Sequence, residues 1–533
     1  MLRRSILTAS ALVALASCGG GGSSTASPPV ATGGTGSGTT TTISPSPLTT
    51  LPEVDSVGGT AALSLQAKFD ANGRPAFFFN GVEGAPTIRV HQGDTIALTF
   101  VNQLPQYCAV GVESNANLHF HGLSSSPNPP GDDVITTLAS PGQSVSYAVH
   151  INPDQPPGMY WYHPHAHGLA SYEVGNGMSG IIIVEGIANA VPQTAGLRER
   201  DIILTDVPND ASYASGEQSV LRRSLAVKRA TQDVDSPTGG NACAPETDAT
   251  PMINGAPLAS IGIKPGETEL FRVLNASGHR HFDLAIDGRQ LQIVAQDGVP
   301  IGTYPGAPQT LTVSDWVVPP AGRVEFLVTG GSAPAALMSK CYQSGPAGDT
   351  DPEVALGVLT DDTHWPSTAT SSTTTQSVHV NARTTAALRQ SQYFTSALPA
   401  PAQQRTLVFS EDDNGFYING AAYSPSAAPQ IVAQSGTVEQ WTLVNTSQEV
   451  HAFHIHQTHF IVSSLNGQAQ ANPHWIDTYD MPPAGVGVSG QVVPSKTVVL
   501  IDFRDPTIRG TFLFHCHILD HEDGGMMAKI VVQ

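Results

Sequence analysis

The chain has 533 residues, 40% hydrophobic and only 13% charged, with 52 glycines and 41 prolines. That length predicts about three domains, and the composition favours turn-rich β structure over helical bundles. With 44 acidic against 24 basic residues the formal charge is −20, which argues against a nucleic-acid partner, since phosphates are held by Lys and Arg clusters and none is present.

In chain order, the N-terminus comes first. MLRRSILTASALVALASC has a basic start (Arg3, Arg4) and an apolar run from Ile6 to Ala16. The run is too short to span a bilayer and reads as a secretory signal. Leu15-Ala16-Ser17-Cys18 has the form of a bacterial lipobox, so residues 1–18 are expected to be a lipoprotein-type signal peptide with Cys18 as the acylated residue. The Arg3-Arg4 pair leaves Sec and twin-arginine export both open. Residues 19–55 are rich in Gly, Ser, Thr and Pro and are predicted to be a flexible tether. The expected location is the periplasm or cell envelope, with Cys18 the only link to a membrane.

A repeat then appears three times. FFNGVEGAPTIRVHQGDTIALTFVN ends at Asn102, MINGAPLASIGIKPGETELFRVLN at Asn275, and YINGAAYSPSAAPQIVAQSGTVEQWTLVN at Asn445. Each copy has an Asn-Gly hairpin signal, a strand, a Gly turn and an alternating strand that closes on Asn. The copies start a domain length apart. They predict an all-β chain of three sandwich domains, at 56–190, 195–365 and 377–533, with PSTATSSTTTQ (366–376) as a linker.

The chemistry lies in the first and third domains. NLHFHG supplies His119 and His121, and WYHPHAHG supplies His163 and His165. HAFHIH supplies His451, His454 and His456, and TFLFHCHILDHEDGGMM supplies His515, Cys516, His517, His521, Met526 and Met527. Side chains alternate along a strand, so His515 and His517 share one face and Cys516 takes the other. One strand can thus serve two sites. Cys516-x4-His521-x4-Met526 returns a thiolate, an imidazole and a thioether to one centre, the donor set of a blue-copper site that still needs a second histidine. His451, three residues before His454, has the offset to supply it. Four HxH pairs exceed what one ion needs, and imidazole suits copper better than magnesium or calcium.

These four motifs, in this order, resemble the multicopper oxidase family of laccases, ascorbate oxidase and bacterial cuprous oxidases, over about residues 60–533. The resemblance implies three cupredoxin-like Greek-key domains and four copper ions per chain. It implies a type 1 copper on His451, Cys516 and His521 with Met526 axial, favoured over its neighbour Met527 by the family spacing. It implies a type 2 copper on His119 and His454. The type 3 pair falls to His121, His163, His165, His456, His515 and His517, and the middle domain, which carries His279 and His281, is expected to bind none. Electrons taken from a small reducing substrate would pass through Cys516 to His515 and His517, and O2 would be reduced to water.

That reduction consumes protons, and Glu522 and either Asp132 or Asp133 are the candidate relays. Glu449 and Asp477 read either as acids at the type 1 edge, placed to attract a cation or a phenol hydroxyl, or, more commonly, as ordinary loop acids. The eight methionines form no cluster, which disfavours a cuprous specialist. The expected activity is therefore laccase-like oxidation of phenols or similar aromatic donors. Oxidation of cuprous, ferrous or manganous ions is the alternative, and a copper-binding cell-envelope scaffold is an alternative of another class. A monomer is expected. Of Cys108, Cys243 and Cys341, two can pair in an exported protein.

Overall fold

A computed structural model describes residues 44–106, 114–209, 249–302, 309–361, 392–395 and 397–533. The three Asn-Gly dipeptides behave alike. Asn80-Gly81, Asn254-Gly255 and Asn419-Gly420 all have positive φ at both residues, the backbone a two-residue hairpin needs and one that Asn and Gly tolerate best. Behind each hairpin a long strand runs parallel to the strand that closes the repeat. Thr60–Phe69 lies beside Thr95–Asn102, Arg198–Pro208 beside Thr268–Asn275, and Gln403–Asp412 beside Val438–Asn445.

The closing asparagines are fully buried. Each Oδ1 accepts the N–H two residues on, at 3.0 Å from Leu104, 2.9 Å from Ser277 and 2.8 Å from Ser447. Each Nδ2 donates to backbone carbonyls of the facing loops, such as Ala139, Val318 and Glu449. A carboxamide thus replaces the ladder partners lost where the strand stops.

Every repeat pairs two sheets face to face. The first has Val82–Glu83, Pro75–Phe79, Thr60–Phe69, Thr95–Asn102 and Ser144–His150 on one side, and Glu53–Asp55, Thr87–Val90, Gly180–Val184, Gly158–His163 and His119–His121 on the other. Its core joins Leu65 and Phe100 to Ile88 and Ile182. The middle core joins Phe271 and Phe326 to Leu284 and Leu337, and the third joins Phe409 and Trp441 to Phe453 and Phe514. Strands such as Val438–Asn445 alternate buried and half-buried positions, as sandwich strands do.

The predicted tether stops short of residue 55. Ser46–Pro47 pairs with Ala259–Ser260 of the middle sandwich, and Glu53–Asp55 pairs with Thr87–Arg89 of the first. Leu48, Leu51 and Val54 each pack against a different apolar cluster, which fixes a segment whose composition reads as linker. Residues 1–43, with Cys18, lie outside the described residues, as do Cys108, Cys243 and the linker at 366–376. Cys341 is disulfide-bonded, and Cys516 is the free cysteine among the described residues.

Buried ion pairs join the sandwiches. Arg89 reaches Glu53, Glu185, Glu199 and Asp201 at 2.8–3.0 Å, and Arg272 holds Glu199 at 2.7 Å together with Glu325. His281 of the middle sandwich, one of two histidines with no expected copper role, is buried against the third. Its Nε2 lies 3.1 Å from Asp480 and its Nδ1 3.5 Å from Asp351, and its ring stacks on Tyr342 at 4.5 Å. Burial disfavours the imidazolium, but the two carboxylates outweigh it and raise the pKa to about 10. A raised pKa stabilises the fold fully below the ordinary value of 6.5, and that contribution falls as pH rises through about 10. We expect His281→Gln to lose about 3 kcal/mol at pH 6. The deficit against wild type should shrink steadily toward pH 10 in a thermal-unfolding series.

Candidate metal centre

Strand Gly510–Cys516 runs between His451–Ile455 and Met527–Val532. Its register sets His454 opposite His515 and Phe453 opposite Cys516. The predicted division of faces follows. On one side Cys516 Sγ lies 3.9 Å from His451 Nδ1 and 3.6 Å from His521 Nδ1, and the two Nδ1 atoms are 3.2 Å apart. The outer nitrogens are already engaged: His451 Nε2 with Ser447 Oγ at 2.9 Å, and His521 Nε2 with Glu449 Oε1 at 3.2 Å. Both rings therefore turn Nδ1 toward the sulfur. Helix Leu519–Asp523 brings His521 into place. Met526 packs in the same apolar cluster as Cys516, whereas Met527 packs with Val134 and Leu513, so the structure separates the two neighbours.

On the other face eight imidazoles from the first and third sandwiches meet. Strand His119–His121 pairs with Gly158–His163, setting His119 opposite His163. His165 Nε2 lies 3.2 Å from His515 Nε2, and His456 Nε2 lies 3.1 Å from each. His121, His163 and His517 form a second group whose ligand atoms lie within 4.8 Å of one another, and His119, His121 and His454 form a third. Their far nitrogens are spoken for. His163 Nδ1 donates to Pro164 O at 2.8 Å, His454 Nδ1 to Asp477 O at 2.7 Å, and His515 Nδ1 to Cys516 O at 3.0 Å. Near nitrogens such as His119 Nε2, His121 Nδ1, His163 Nε2 and His454 Nε2 are buried with no protein partner.

Electrostatics agree with this reading. Burial first, then the neighbouring imidazoles, hold His121, His163, His454, His456 and His517 well below the usual histidine range. His165 falls to about 4 and His521 to about 3, again chiefly through burial. Burial pushes the Cys516 thiol well above its ordinary value, so only a cation makes the thiolate favourable there. Neutral imidazoles with orphaned lone pairs are what a transition metal requires, and a thiolate with two imidazoles and a nearby thioether fits the donor set of a blue-copper site.

The acids sort themselves by contact. Asp132 Oδ2 lies 2.9 Å from His119 Nδ1, and the same oxygen accepts Gln457 Nε2 at 2.9 Å. Asp133, the other candidate, meets different partners. Its carboxylate accepts the N–H groups of Ile135 and Thr136, both at 3.0 Å, and the hydroxyls of Thr136 and Thr137. It caps its own turn. Glu522 stands 3.1 Å from His515 Nδ1 and 3.6 Å from His165 Nδ1. Burial alone would raise its pKa, but those imidazoles hold it low. Asp477, which the sequence leaves open between the type 1 edge and an ordinary loop, sits on the other face, 3.2 Å from His121 Nε2. Sequence reasoning missed Ser447, Gln457, Asp297 and Arg323 around the site. None stands in a motif, and only the fold brings them near.

Comparison with known proteins now places the chain. The multicopper oxidase family matches it at residues 63–189, 213–364 and 393–533, together most of its length, and the chain belongs to that family of copper-dependent oxidoreductases that use O2. The protein is thus a multicopper oxidase with three cupredoxin-like domains. It is similar to multicopper oxidase mco of Staphylococcus haemolyticus, 23% identical over 85% of this chain and 83% of that one. It is also similar to the cell division protein FtsP of Gallibacterium anatis, 24% identical over 92% of this chain and 94% of the relative. A solved laccase-like multi-copper oxidase, CueO of the lignin-degrading bacterium Ochrobactrum sp., shares the fold. Its TM-score is 0.63 at 22% identity, over 91% of this chain and all of the other.

The two adjacent aspartates give a direct check. Asp132→Asn should lower O2-linked turnover or retention of copper by about 10- to 100-fold, as loss of a carboxylate behind a ligating imidazole does. Asp133→Asn should cost about 1 kcal/mol of stability and leave turnover within about threefold of wild type, measured by oxygen uptake and thermal unfolding side by side.

Proposed function

We propose that this protein oxidises phenols or similar aromatic donors one electron at a time and passes the electrons to O2. The observation that carries the reading is the strand Gly510–Cys516, whose Cys516 belongs to one cluster while its neighbours His515 and His517 belong to the other. In this assignment His451, Cys516 and His521 would hold a type 1 copper, with the Met526 thioether as a weaker donor. His119 and His454 hold a type 2 copper. His121, His163 and His517 hold one type 3 ion, and His165, His456 and His515 hold the other. Four bound copper ions would supply one-electron acceptance at the first site and four-electron reduction of O2 at the second. The protein's own part is to join the sites by two peptide links, keep the imidazoles neutral and exclude bulk water. Asp132 and Glu522 set carboxylates against His119 and against His515 and His165, where protons are needed.

The donor class rests on the outer edge of the first cluster. The Ser447 hydroxyl lies on His451, and the Ser447 backbone carbonyl accepts Ala484 N–H at 2.7 Å. From Ala484 the chain leads into a hairpin, Gly485–Val486 with Val492–Val493, on which Val486, Val488, Val492 and Val493 are exposed. Phe416 stacks on the His521 ring at 4.3 Å. An apolar rim next to a slightly exposed imidazole suits an aromatic body.

One observation favours the second reading, metal-ion oxidation. Glu411 and Glu449 lie beside His451, their oxygens and its nitrogen within 4.8 Å of one another, and a carboxylate pair suits a cationic donor. The test uses the copper-loaded protein, its visible spectrum and its oxygen uptake with a phenol, ferrous ion and cuprous ion. The phenol reading expects an intense blue band and phenol-driven uptake, both lost in Cys516→Ser and little changed in Glu411→Gln. Uptake on metal ions alone, reduced about tenfold or more in Glu411→Gln, would move the function to metal oxidation. Absence of a blue band after verified loading would return the protein to the scaffold class, to which the similarity to a cell division protein also points.

We propose further that the chain acts in the cell envelope, anchored by a lipid on Cys18, with export signalled by residues 1–18. Cys18→Ser should move the protein from the membrane fraction to the soluble fraction; unchanged fractionation would rule the anchor out.

A further inference from the structure

Among its described residues the middle sandwich contributes no histidine to either cluster, yet it reaches the imidazole cluster through charge. Arg323 begins strand Arg323–Thr329 of that sandwich and is buried. Its Nη1 donates to Asp477 Oδ1 at 2.7 Å and its Nη2 to Asp477 Oδ2 at 2.5 Å, a two-pronged pair with a carboxylate of the third sandwich. Nε donates to Met159 O of the first sandwich at 3.4 Å. Asp297, also of the middle sandwich, accepts Arg323 N–H at 2.9 Å on Oδ1, and on Oδ2 the N–H groups of Asp477 at 3.3 Å and Thr478 at 3.4 Å. Its carbonyl accepts His459 Nε2 at 3.0 Å. The side chains of Asp297, Arg323 and Asp477 are all fully buried.

Asp477 touches two of the expected copper ligands at once. Its Oδ1 lies 3.2 Å from His121 Nε2, and its backbone carbonyl accepts His454 Nδ1 at 2.7 Å. A carboxylate gripped by both prongs of a guanidinium is an acceptor only. His121 Nε2 must then be the donor, which leaves the lone pair on Nδ1, the atom that has no partner in the protein. The His454 bond frees Nε2 in the same way, and the two rings lie nearly parallel, 3.8 Å apart.

Space has been reserved for this arrangement. Gly122, directly after His121, has φ +86°, and a Cβ there would come within 2.6 Å of Arg323 Nη2 and of Asp477 Oδ2. Any side chain at that position would displace the ion pair or the strand that carries His121.

We infer that Arg323 and Asp297 of the middle sandwich are positioning residues of the imidazole cluster, acting through Asp477 to fix the tautomer of His121 and the orientation of His454. The inference rests on the copper assignment proposed above. It makes the sandwich without ligands part of the O2-reducing centre, and it does so at the cluster and not at the cysteine site.

The test compares copper-loaded wild type with Arg323→Gln, and with Arg323→Lys as the conservative variant. Three quantities are read: the blue band per chain, the type 2 electron paramagnetic resonance signal, and copper retained against a chelator. Arg323→Gln should keep the blue band, change the type 2 signal, and hold the non-blue copper about 10- to 100-fold less well. Arg323→Lys, which restores a charge but not the fork, should recover part of that loss. Should Arg323→Gln fail to accumulate, Asp297→Asn, which loosens Arg323 while keeping its charge, is read the same way. An unchanged type 2 signal and unchanged retention would overturn the inference. So would a parallel loss of blue band, cluster copper and melting temperature, since that marks a general structural role. A wild-type protein with a blue band but no type 2 signal would instead remove the assignment beneath the inference, and the inference with it.

Discussion

The structure is organised around buried imidazole nitrogens that crowd together with too few protein partners. His165, His456 and His515 bring three Nε2 atoms within 3.1–3.2 Å, and the Nδ1 atoms of His165 and His515 face Glu522. In water such atoms would each accept a hydrogen bond. Buried, each unsatisfied atom costs about 1–3 kcal/mol, and protonating any of them sets a charge among neighbours that repel it. A metal cation is the partner that satisfies all of them together, and the Cys516 thiol has the same need. On the copper assignment proposed above, metal binding and folding would be linked, because the ions would satisfy buried nitrogens that otherwise lack partners.

Three copies of one sandwich explain how so many ligands reach one place. Each copy uses the same Asn-Gly hairpin, the same parallel strand pair and the same closing asparagine, so the frames are nearly equivalent. What differs is the load. The first copy places histidines on paired strands at His119–His121 and Gly158–His163, and the third places them on His451–Ile455 and Gly510–Cys516. The middle copy has charge where the others have imidazole. It supplies Arg323 and Asp297 at one contact and His281 at another, and Gly278 O accepts Leu519 N–H at 2.7 Å at the start of the helix that carries His521. Its chemistry is that of a clamp between the two ligand-bearing copies.

Much of this was legible in the sequence because the relevant signals are local. Two-residue periodicity in HCH divides the faces of one strand, Asn-Gly marks the hairpins, and the Cys516-His521-Met526 spacing closes a loop on one centre. Contacts set by tertiary packing were not legible. Asp132 and Asp133 are adjacent and chemically identical, and only the fold turns one toward His119 and the other into its own turn. Asp477 lies 23 residues beyond His454 with no motif around it, and its position on the cluster depends on Arg323, 154 residues away. Residues 46–55 read as linker by composition, but Leu48, Leu51 and Val54 find three separate apolar clusters, an outcome that no local pattern encodes.

The two clusters differ most in how they meet the surroundings, and that difference bears on the kind of donor expected. The eight imidazoles of the larger cluster are all buried, enclosed by the two ligand-bearing sandwiches and backed by the Arg323–Asp477 pair. The cysteine cluster lies under one edge where His521 is still 7% exposed and Glu449 and Phe416 contact its ring. If electrons alone cross from donor to protein, the donor needs contact with that edge and no pocket that encloses it. Its size is then loosely constrained, while its charge would be felt by Glu411 and Glu449 beside His451 and His521. Dioxygen and protons, by contrast, must reach the enclosed cluster as matter. A buried cluster with carboxylates at two of its sides, Asp132 on His119 and Glu522 on His515, meets that second requirement without opening the site to the donor.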